Sequence, residues 1–121
     1  MDWKKLEKYK LKFQLFKNKI ENLESFLSQI DTDESPIYII SPYLISQQLH
    51  INELEAIFLL SLAEKEHLLH KVYKVWTLDN DCLLGEYEKQ ELIPDRIYNP
   101  NIGKDVVKSD FYVDLVYEID R

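Results

Sequence analysis

The chain has 121 residues, 45% of them apolar, and a formal net charge of −7. This length is typical of one domain, and the apolar share is enough to bury roughly two-thirds of the unfolded surface. The single cysteine, Cys82, excludes an intramolecular disulfide and a zinc site built on paired cysteines. Only two glycines argue against phosphate-binding loops. Without a long apolar run for a signal peptide or a transmembrane helix, we expect a cytoplasmic protein.

Charge is unevenly distributed along the chain. Residues 1–30 contain seven basic and four acidic side chains, a net charge of +3. Residues 31–121 contain eight basic and eighteen acidic side chains, a net charge of −10. The two parts should attract each other, and the larger part should repel nucleic acid.

Apolar residues recur every seven positions in residues 1–30. They occupy the a and d positions of four heptads, with no Gly or Pro among them. These residues are Leu6, Tyr9, Phe13, Phe16, Ile20, Leu23, Leu27 and Ile30. The pattern predicts one continuous amphipathic helix of about 28 residues, roughly 42 Å long.

The lysines beside this apolar stripe bear on what the helix pairs with. In a parallel homodimer, Lys5 would face Lys10 of the second copy and Lys12 would face Lys17, which is repulsive. An acidic surface is a better match, on the rest of this chain or on another protein. As an interface, the stripe would present Leu6, Tyr9, Phe13, Phe16, Ile20 and Leu23 to a partner. Packing as one wall of the chain's own core is an equally open alternative.

Residues 31–40 are predicted to be a linker followed by a short strand. The segment DTDESP (31–36) is acidic and ends in proline, as linkers often do. The segment IYII (37–40) is β-branched and aromatic, which is consistent with a short strand or with the start of a helix that Pro42 interrupts.

Two further helices are predicted next. Ser41 is a suitable N-cap with Pro42 in the first helical position, and this helix should end at Leu49. Asn52, followed by a glutamate three residues later, predicts a capping box for a third helix that continues to about His67.

After the third helix the apolar period becomes two. HKVYKVW (70–76) and CLLGEY (82–87) are predicted to be strands joined by a turn at 78–81. Residues 88–105 contain two prolines and are predicted to be mostly loop. A half-buried strand is predicted over residues 110–120. Its buried face should consist of Phe111, Val113, Leu115, Tyr117 and Ile119.

Two helices, a tight turn and a β-hairpin in this order resemble a winged helix-turn-helix. Within residues 43–78 the family's packing positions, turn and entry to the wing are matched by Ile45, Ser46, Leu49, His50, Ile51, Ala56, Leu59, Ala63, Leu68 and Leu69. His50 and His67 stand where the family usually has glycine, and histidine is enriched among non-glycine residues with positive φ. The match covers under a third of the chain.

Together, the heptad pattern and the resemblance predict an α+β fold with three parts. These are a heptad helix over residues 1–30, a linker or short strand over 31–40, and a winged helix-turn-helix-like domain over 41–121. The last part should contain a small antiparallel sheet that the C-terminal strand completes or extends.

The third helix is apolar on two faces. One face consists of Ala56, Leu59 and Ala63, which we expect in the core; the opposite face consists of Leu54, Ile57, Phe58 and Leu62. A helix that is apolar on both sides is covered on both sides. Base readout requires Arg, Lys, Asn or Gln, whereas this helix carries four glutamates and a single lysine. We therefore expect the outer face to contact protein: the N-terminal helix, a second copy, or a different chain.

No pattern for catalysis or metal binding is convincing. His67 and His70 lack the spacing of a zinc-binding helix and are better explained as partly solvated residues at a helix C-terminus. The segment LDNDCLLG lacks the glycine position and terminal glutamate of a calcium loop. Cys82 has no adjacent base, and the acids of residues 86–95 are typical of a solvated face. We expect no enzyme, no cofactor and no metal.

The sequence therefore favours a non-enzymatic protein–protein interaction module, a small adaptor or accessory subunit. Its partner would be another protein or a second copy of itself. The alternative is a dimeric DNA-binding transcriptional regulator that uses Lys71 and Lys74 of the wing. The bias towards Lys, Ile, Asn and Tyr is typical of a bacterial chain from an AT-rich genome. Small acidic winged helices of this kind resemble accessory components of bacterial conflict or defence loci.

Overall fold

The structure is a computed structural model that describes residues 2–31, 39–79 and 82–120. Of these residues 49% are helical and 30% lie in strands, so the predicted α+β class is confirmed. Most of the predicted linker at 31–36, the first half of the predicted strand at 37–40, and residues 80–81 of the predicted turn fall outside the described residues. None of the described helices is long and apolar enough to cross a membrane.

The chain divides into two compact units. The first consists of Met1–His70 together with Tyr117–Arg121, and the second of Lys71–Val116. Each unit has its own buried apolar residues.

Two helices, rather than one, open the first unit. A 3-10 turn, Trp3–Leu6, continues into helix α1, Glu7–Lys12. A second 3-10 turn, Gln14–Phe16, leads into helix α2, Lys17–Ile30. Between them Phe13 leaves the helical conformation, with φ −121° and ψ 70°. The predicted continuous helix of residues 1–30 is therefore interrupted.

Helices α1 and α2 fold back on each other to form what we call the N-terminal hairpin, residues 3–30. Trp3 Nε1 donates a hydrogen bond to Asp31 Oδ2 over 3.2 Å, and Lys10 Nζ donates to Glu24 Oε2 over 3.3 Å. The beginning of the first helix thus lies beside the end of the second, and the two run antiparallel. The buried heptad residues of the hairpin are Leu6, Tyr9, Ile20, Leu23, Leu27 and Ile30.

Helices α3, Pro42–Leu49, and α4, Glu53–Lys65, pack against each other after the hairpin. Ser41 Oγ accepts a hydrogen bond from the backbone N–H three residues later, over 3.0 Å. Asn52 and Glu55 form a complete capping box, each side chain accepting from the other residue's backbone N–H. Both predicted N-caps are confirmed, although α4 ends about two residues earlier than predicted.

Both helices end at a histidine in the left-handed conformation. His50 has a φ of 56° and His67 a φ of 59°. The backbone N–H after each histidine donates to the carbonyl five residues earlier, over 3.1 Å and 3.0 Å respectively. This bond is the long hydrogen bond of a Schellman motif, which satisfies a carbonyl that the helix end leaves without a partner. The positive φ turns the chain sharply out of each helix.

The described residues contain six strands. They are β1 (Ile39–Ile40), β2 (Leu69–Thr77), β3 (Leu83–Tyr87), β4 (Arg96–Asn99), β5 (Lys104–Val107) and β6 (Phe111–Ile119). One sheet has the order β1-β6-β2-β3, and β4 and β5 form a separate two-stranded sheet. The pairs β1–β6, β2–β3 and β4–β5 are antiparallel. The strands predicted over 70–76, 82–87 and 110–120 are confirmed.

The second unit contains a hairpin where mostly loop was predicted. Strands β4 and β5 pair around a turn in which Gly103 has a φ of 67° and donates to the Asn99 carbonyl over 2.9 Å. The apolar side chains of this hairpin contribute to the core of the unit. That core consists of Val75, Ile93, Ile97, Val106 and Phe111.

The buried face of β6 differs from its prediction. Val113 was expected on the buried face but is 37% exposed. Val116 and Tyr117 are both buried, although they are consecutive. Successive side chains of a strand point to opposite faces, so both faces of β6 are covered at this position. A prediction based on strict alternation of buried and exposed residues cannot include two consecutive buried residues.

Candidate functional site

The outer face of α4 is covered by the N-terminal hairpin of the same chain. The ring of Phe58 lies 5.2 Å from that of Phe13, at an interplanar angle of 87°. It also lies 5.1 Å from the ring of Phe16, at an interplanar angle of 52°. Edge-to-face and tilted contacts at these distances suit the quadrupoles of aromatic rings. The break in the hairpin at Phe13 thus places two aromatic rings on α4.

Charged contacts flank this aromatic cluster near both ends of α4. Lys19 forms an ion pair with Glu55, in the first turn of the helix. Just after the other end, Glu66 accepts a hydrogen bond from the Tyr9 hydroxyl over 2.7 Å and pairs with Lys8 over 2.6 Å. The attraction predicted between the basic N-terminal segment and the acidic remainder of the chain therefore takes the form of specific contacts.

These contacts shift the pKa values of the groups involved. The pKa of Glu66 is lowered by its bond to Lys8 and then by the Tyr9 hydroxyl. The pKa of Glu55 is lowered by Lys19 and by the backbone N–H of Asn52. Burial, followed by the bond to Glu66, raises the pKa of Tyr9. All three shifts keep the groups in the forms that these contacts require.

The core face of α4 agrees with its prediction. Ala56, Leu59 and Ala63 have no exposed surface. On the outer face, Leu62 is buried and both Ile57 and Phe58 are half-buried. Leu54, one turn before Phe58, remains 80% exposed.

The heptad residues predicted to bind a partner lie mostly in the core of the first unit. Those that are buried are Leu6, Tyr9, Ile20 and Leu23. Phe13 and Phe16 are half-buried against Phe58. This is the alternative that the heptad pattern left open, in which the stripe is a wall of the chain's own core. The buried members present no surface to a partner in this fold.

Two exposed leucines lie where the hairpin turns. Leu11 is 79% and Leu15 is 95% exposed. A shallow depression here is lined by Leu11, Lys12, Phe13, Gln14, Leu15 and Phe16. We call these six residues the hairpin tip. Together with Leu54, the tip is the strongest candidate for a functional surface in the first unit.

Sequence reasoning missed the leucines of the tip. Both fall outside the a and d positions, at places that would face solvent in a continuous helix. A large apolar residue at such a position was the available signal, because solubilising residues normally occupy it.

The two lysines proposed for DNA contact are not fully exposed. Lys74 is 13% exposed in its side chain and lies 3.4 Å from Glu86, its neighbour across β2 and β3. Lys71 is half-buried. These placements leave little free positive charge on β2.

The residues considered for metal binding or catalysis have different surroundings. His70 is 3.4 Å from Glu118 and 4.0 Å from Asp120, while His67 is exposed at the end of α4. Cys82 Sγ lies 3.7 Å from Asn99 Oδ1. Over residues 2–31, 39–79 and 82–120, no three His, Cys, Asp or Glu side chains are grouped so as to hold a metal ion.

Comparison with known proteins yields no assignment. No protein-family model matches the chain, and no match was found among curated proteins or solved structures. The functional interpretation therefore depends on the geometry of the chain itself.

Proposed function

We propose that this protein is a non-enzymatic protein–protein interaction module, a small adaptor or accessory subunit. Its scaffold would be a winged helix-turn-helix preceded by the N-terminal hairpin. Support for this scaffold comes from the order α3, turn, α4 and the β2–β3 hairpin. The positive φ of His50 and His67, where the superfamily usually has glycine, is consistent with it.

One observation carries the functional proposal: the outer face of α4 is occupied by the protein's own aromatic residues. In a DNA-binding winged helix this face would enter the major groove and carry side chains that read base edges. Here Phe58 lies against Phe13 and Phe16, and Glu55 and Glu66 bind lysines of the hairpin. A covered, acid-flanked helix is poorly suited to a phosphate backbone.

The exposed leucines supply the surface for a partner. Leu11, Leu15 and Leu54 are each at least 79% exposed. Single exposed leucines are common on proteins, but Leu11 and Leu15 line one depression with the half-buried Phe13 and Phe16, and grouped apolar side chains of this kind mark interaction sites. The partner would be another protein that buries this surface. By analogy with small acidic proteins of similar design, a bacterial defence or conflict assembly is a suitable setting.

The proposal is tested by capture from an extract of the source organism with immobilised protein. Wild type is compared with the double variant Leu11→Asp, Leu15→Asp and with Leu92→Asp, which changes a 58% exposed leucine of the second unit. We expect a protein that wild type and Leu92→Asp retain and that the double variant loses. Retention by all three would show that the leucines are not the docking surface. Salt-sensitive binding of duplex DNA by the purified chain would overturn the proposal in favour of the regulator.

A further inference from the structure

We infer that the hairpin tip docks an acidic amphipathic segment of the partner protein. This inference rests on the proposed function and specifies the chemistry of what is bound. It follows from two properties of the tip: its apolar depression and the charge that surrounds it.

The apolar part of the partner is set by the depression. Leu11 and Leu15 extend into solvent on its rim, and the half-buried rings of Phe13 and Phe16 line it. Each leucine would lose unfavourable contact with water on binding, and the rings of Phe13 and Phe16 are both packed against Phe58. The matching segment presents two or three apolar side chains close together.

The acidic part of the partner is set by the lysines. Residues 8–20 contain five lysines and no acid, in a chain whose net charge is −7. Three of them are already neutralised by the chain's own glutamates: Lys8, Lys10 and Lys19. Lys12 and Lys17 are exposed, and neither forms an ion pair within the described ranges. These two lysines next to the apolar depression match carboxylates on the edge of an apolar stripe.

A second copy of the same tip is a poorer match. A symmetric dimer brings identical patches together, so Lys12 and Lys17 would approach their own counterparts and repel. A phosphate backbone is also a poorer match, because it would leave the two exposed leucines without apolar contact. An acidic amphipathic segment satisfies both the leucines and the lysines. Charges at the rim of such an interface mainly raise the association rate and select the partner.

The test is an NMR titration of the full chain, monitored through the methyl signals of its leucines. The probe is a designed helical peptide of about five turns, with leucines along one face and glutamates elsewhere. Its matched control has every glutamate replaced by lysine. We expect the acidic peptide to shift the methyl signals of Leu11 and Leu15 but not of Leu92, and the basic peptide to bind at least roughly tenfold more weakly.

Two variants separate the apolar and charged contributions. Lys12→Glu with Lys17→Glu should weaken binding of the acidic peptide by about tenfold, because two exposed pairs are replaced by repulsion. Leu11→Asp with Leu15→Asp should reduce binding below detection. Since all four side chains are exposed, unchanged circular dichroism and melting of each variant would show that the fold is retained.

Several results would overturn the inference. They are equal binding of the two peptides, binding of neither, binding that the variants leave unchanged, and methyl shifts that follow protein concentration without peptide. The last result would identify a second copy as the occupant. If capture from the extract still depends on the leucines, the proposed function stands and only the partner's chemistry is wrong. If that dependence is absent as well, the proposed function fails with it.

Discussion

Phe58 on helix α4 meets Phe13 of the N-terminal hairpin edge to face, with ring centroids 5.2 Å apart. This contact joins the break between α1 and α2 to a helix that follows about forty residues later in the chain. It means that the outer apolar stripe of α4 is largely internal to the first unit. The apolar residues that remain exposed are Leu11 and Leu15 of the hairpin tip and Leu54 in the first turn of α4.

The double variant Phe58→Asp, Leu62→Asp should therefore unfold the protein. Leu62 is 5% exposed and Phe58 is half-buried against two rings. The change therefore places one unpaired carboxylate in the core and a second against aromatic rings, at a cost of several kcal/mol. Circular dichroism and urea denaturation measure this loss.

The matched control is Leu54→Asp on the same helix. Because Leu54 is 80% exposed, its replacement should change the free energy of unfolding by no more than about 0.5 kcal/mol. A double variant that melts like wild type would show that the stripe of α4 is a free surface, contrary to the structure.

Glycine at the two left-handed histidines should stabilise the protein. His50 and His67 have φ values of 56° and 59°, a conformation in which a Cβ atom is unfavourable and glycine is not. His50→Gly and His67→Gly should each raise the free energy of unfolding by about 0.5–1 kcal/mol, as measured by urea denaturation. His70→Gly, within strand β2, should lower it instead. Destabilisation by glycine at position 50 or 67 would argue against these helix ends.

Acid should weaken the contact between Glu66 and the hairpin. The pKa of Glu66 is lowered in the folded chain by Lys8 and Tyr9. A group with a lowered pKa contributes stability above its ordinary pKa of 4.5, and this stability is lost as the pH falls through the lower, folded value. Wild type should therefore lose stability on acidification below that point.

The variant Glu66→Gln isolates this contribution from that of other acids, such as Glu24, whose pKa burial raises. Its melting temperature should be lower than that of wild type at pH 7, because the ion pair with Lys8 is lost, and should fall less steeply in acid. Glu53→Gln, an exposed change in the first turn of α4, serves as control. Parallel melting curves for wild type and Glu66→Gln across the acid range would contradict the assigned role.

Local signals predicted the helices and strands that depend on local chemistry. The side chains of Ser41 and Asn52 satisfy N–H groups of the following turn wherever a helix begins, so these starts could be read directly. The alternation in residues 70–76 likewise identified β2. Strands β4 and β5 were missed because they are short and flanked by Pro94 and Pro100, which are usual marks of a loop.

The hairpin could not be predicted from its periodicity. A heptad stripe is the same whether one long helix packs on a partner or two shorter helices pack on each other, because the spacing within each half is unchanged. The break at Phe13 contains neither Gly nor Pro, so tertiary packing determines it. Burial of Leu6 and Tyr9 with residues of α2 outweighs the helical hydrogen bonds lost at the break.

The sequence located the candidate surface only in part, because the turn between α1 and α2 could not be predicted. Leu54 was correctly placed on the outer face of α4, and it is exposed. Leu11 and Leu15 would face solvent in a continuous helix as well, but the turn at Phe13 places them around one depression with the half-buried rings of Phe13 and Phe16. This arrangement depends on a turn that no Gly or Pro marks in the sequence.

The most direct test of the account is whether the hairpin covers α4 within one chain. An isotope-filtered nuclear Overhauser experiment on a mixture of labelled and unlabelled protein separates contacts within a chain from contacts between chains. We expect cross-peaks between the ring protons of Phe58 and those of Phe13 and Phe16 within one chain, and none between chains. Cross-peaks between chains would show that the hairpin of one copy covers α4 of another, and would contradict the account.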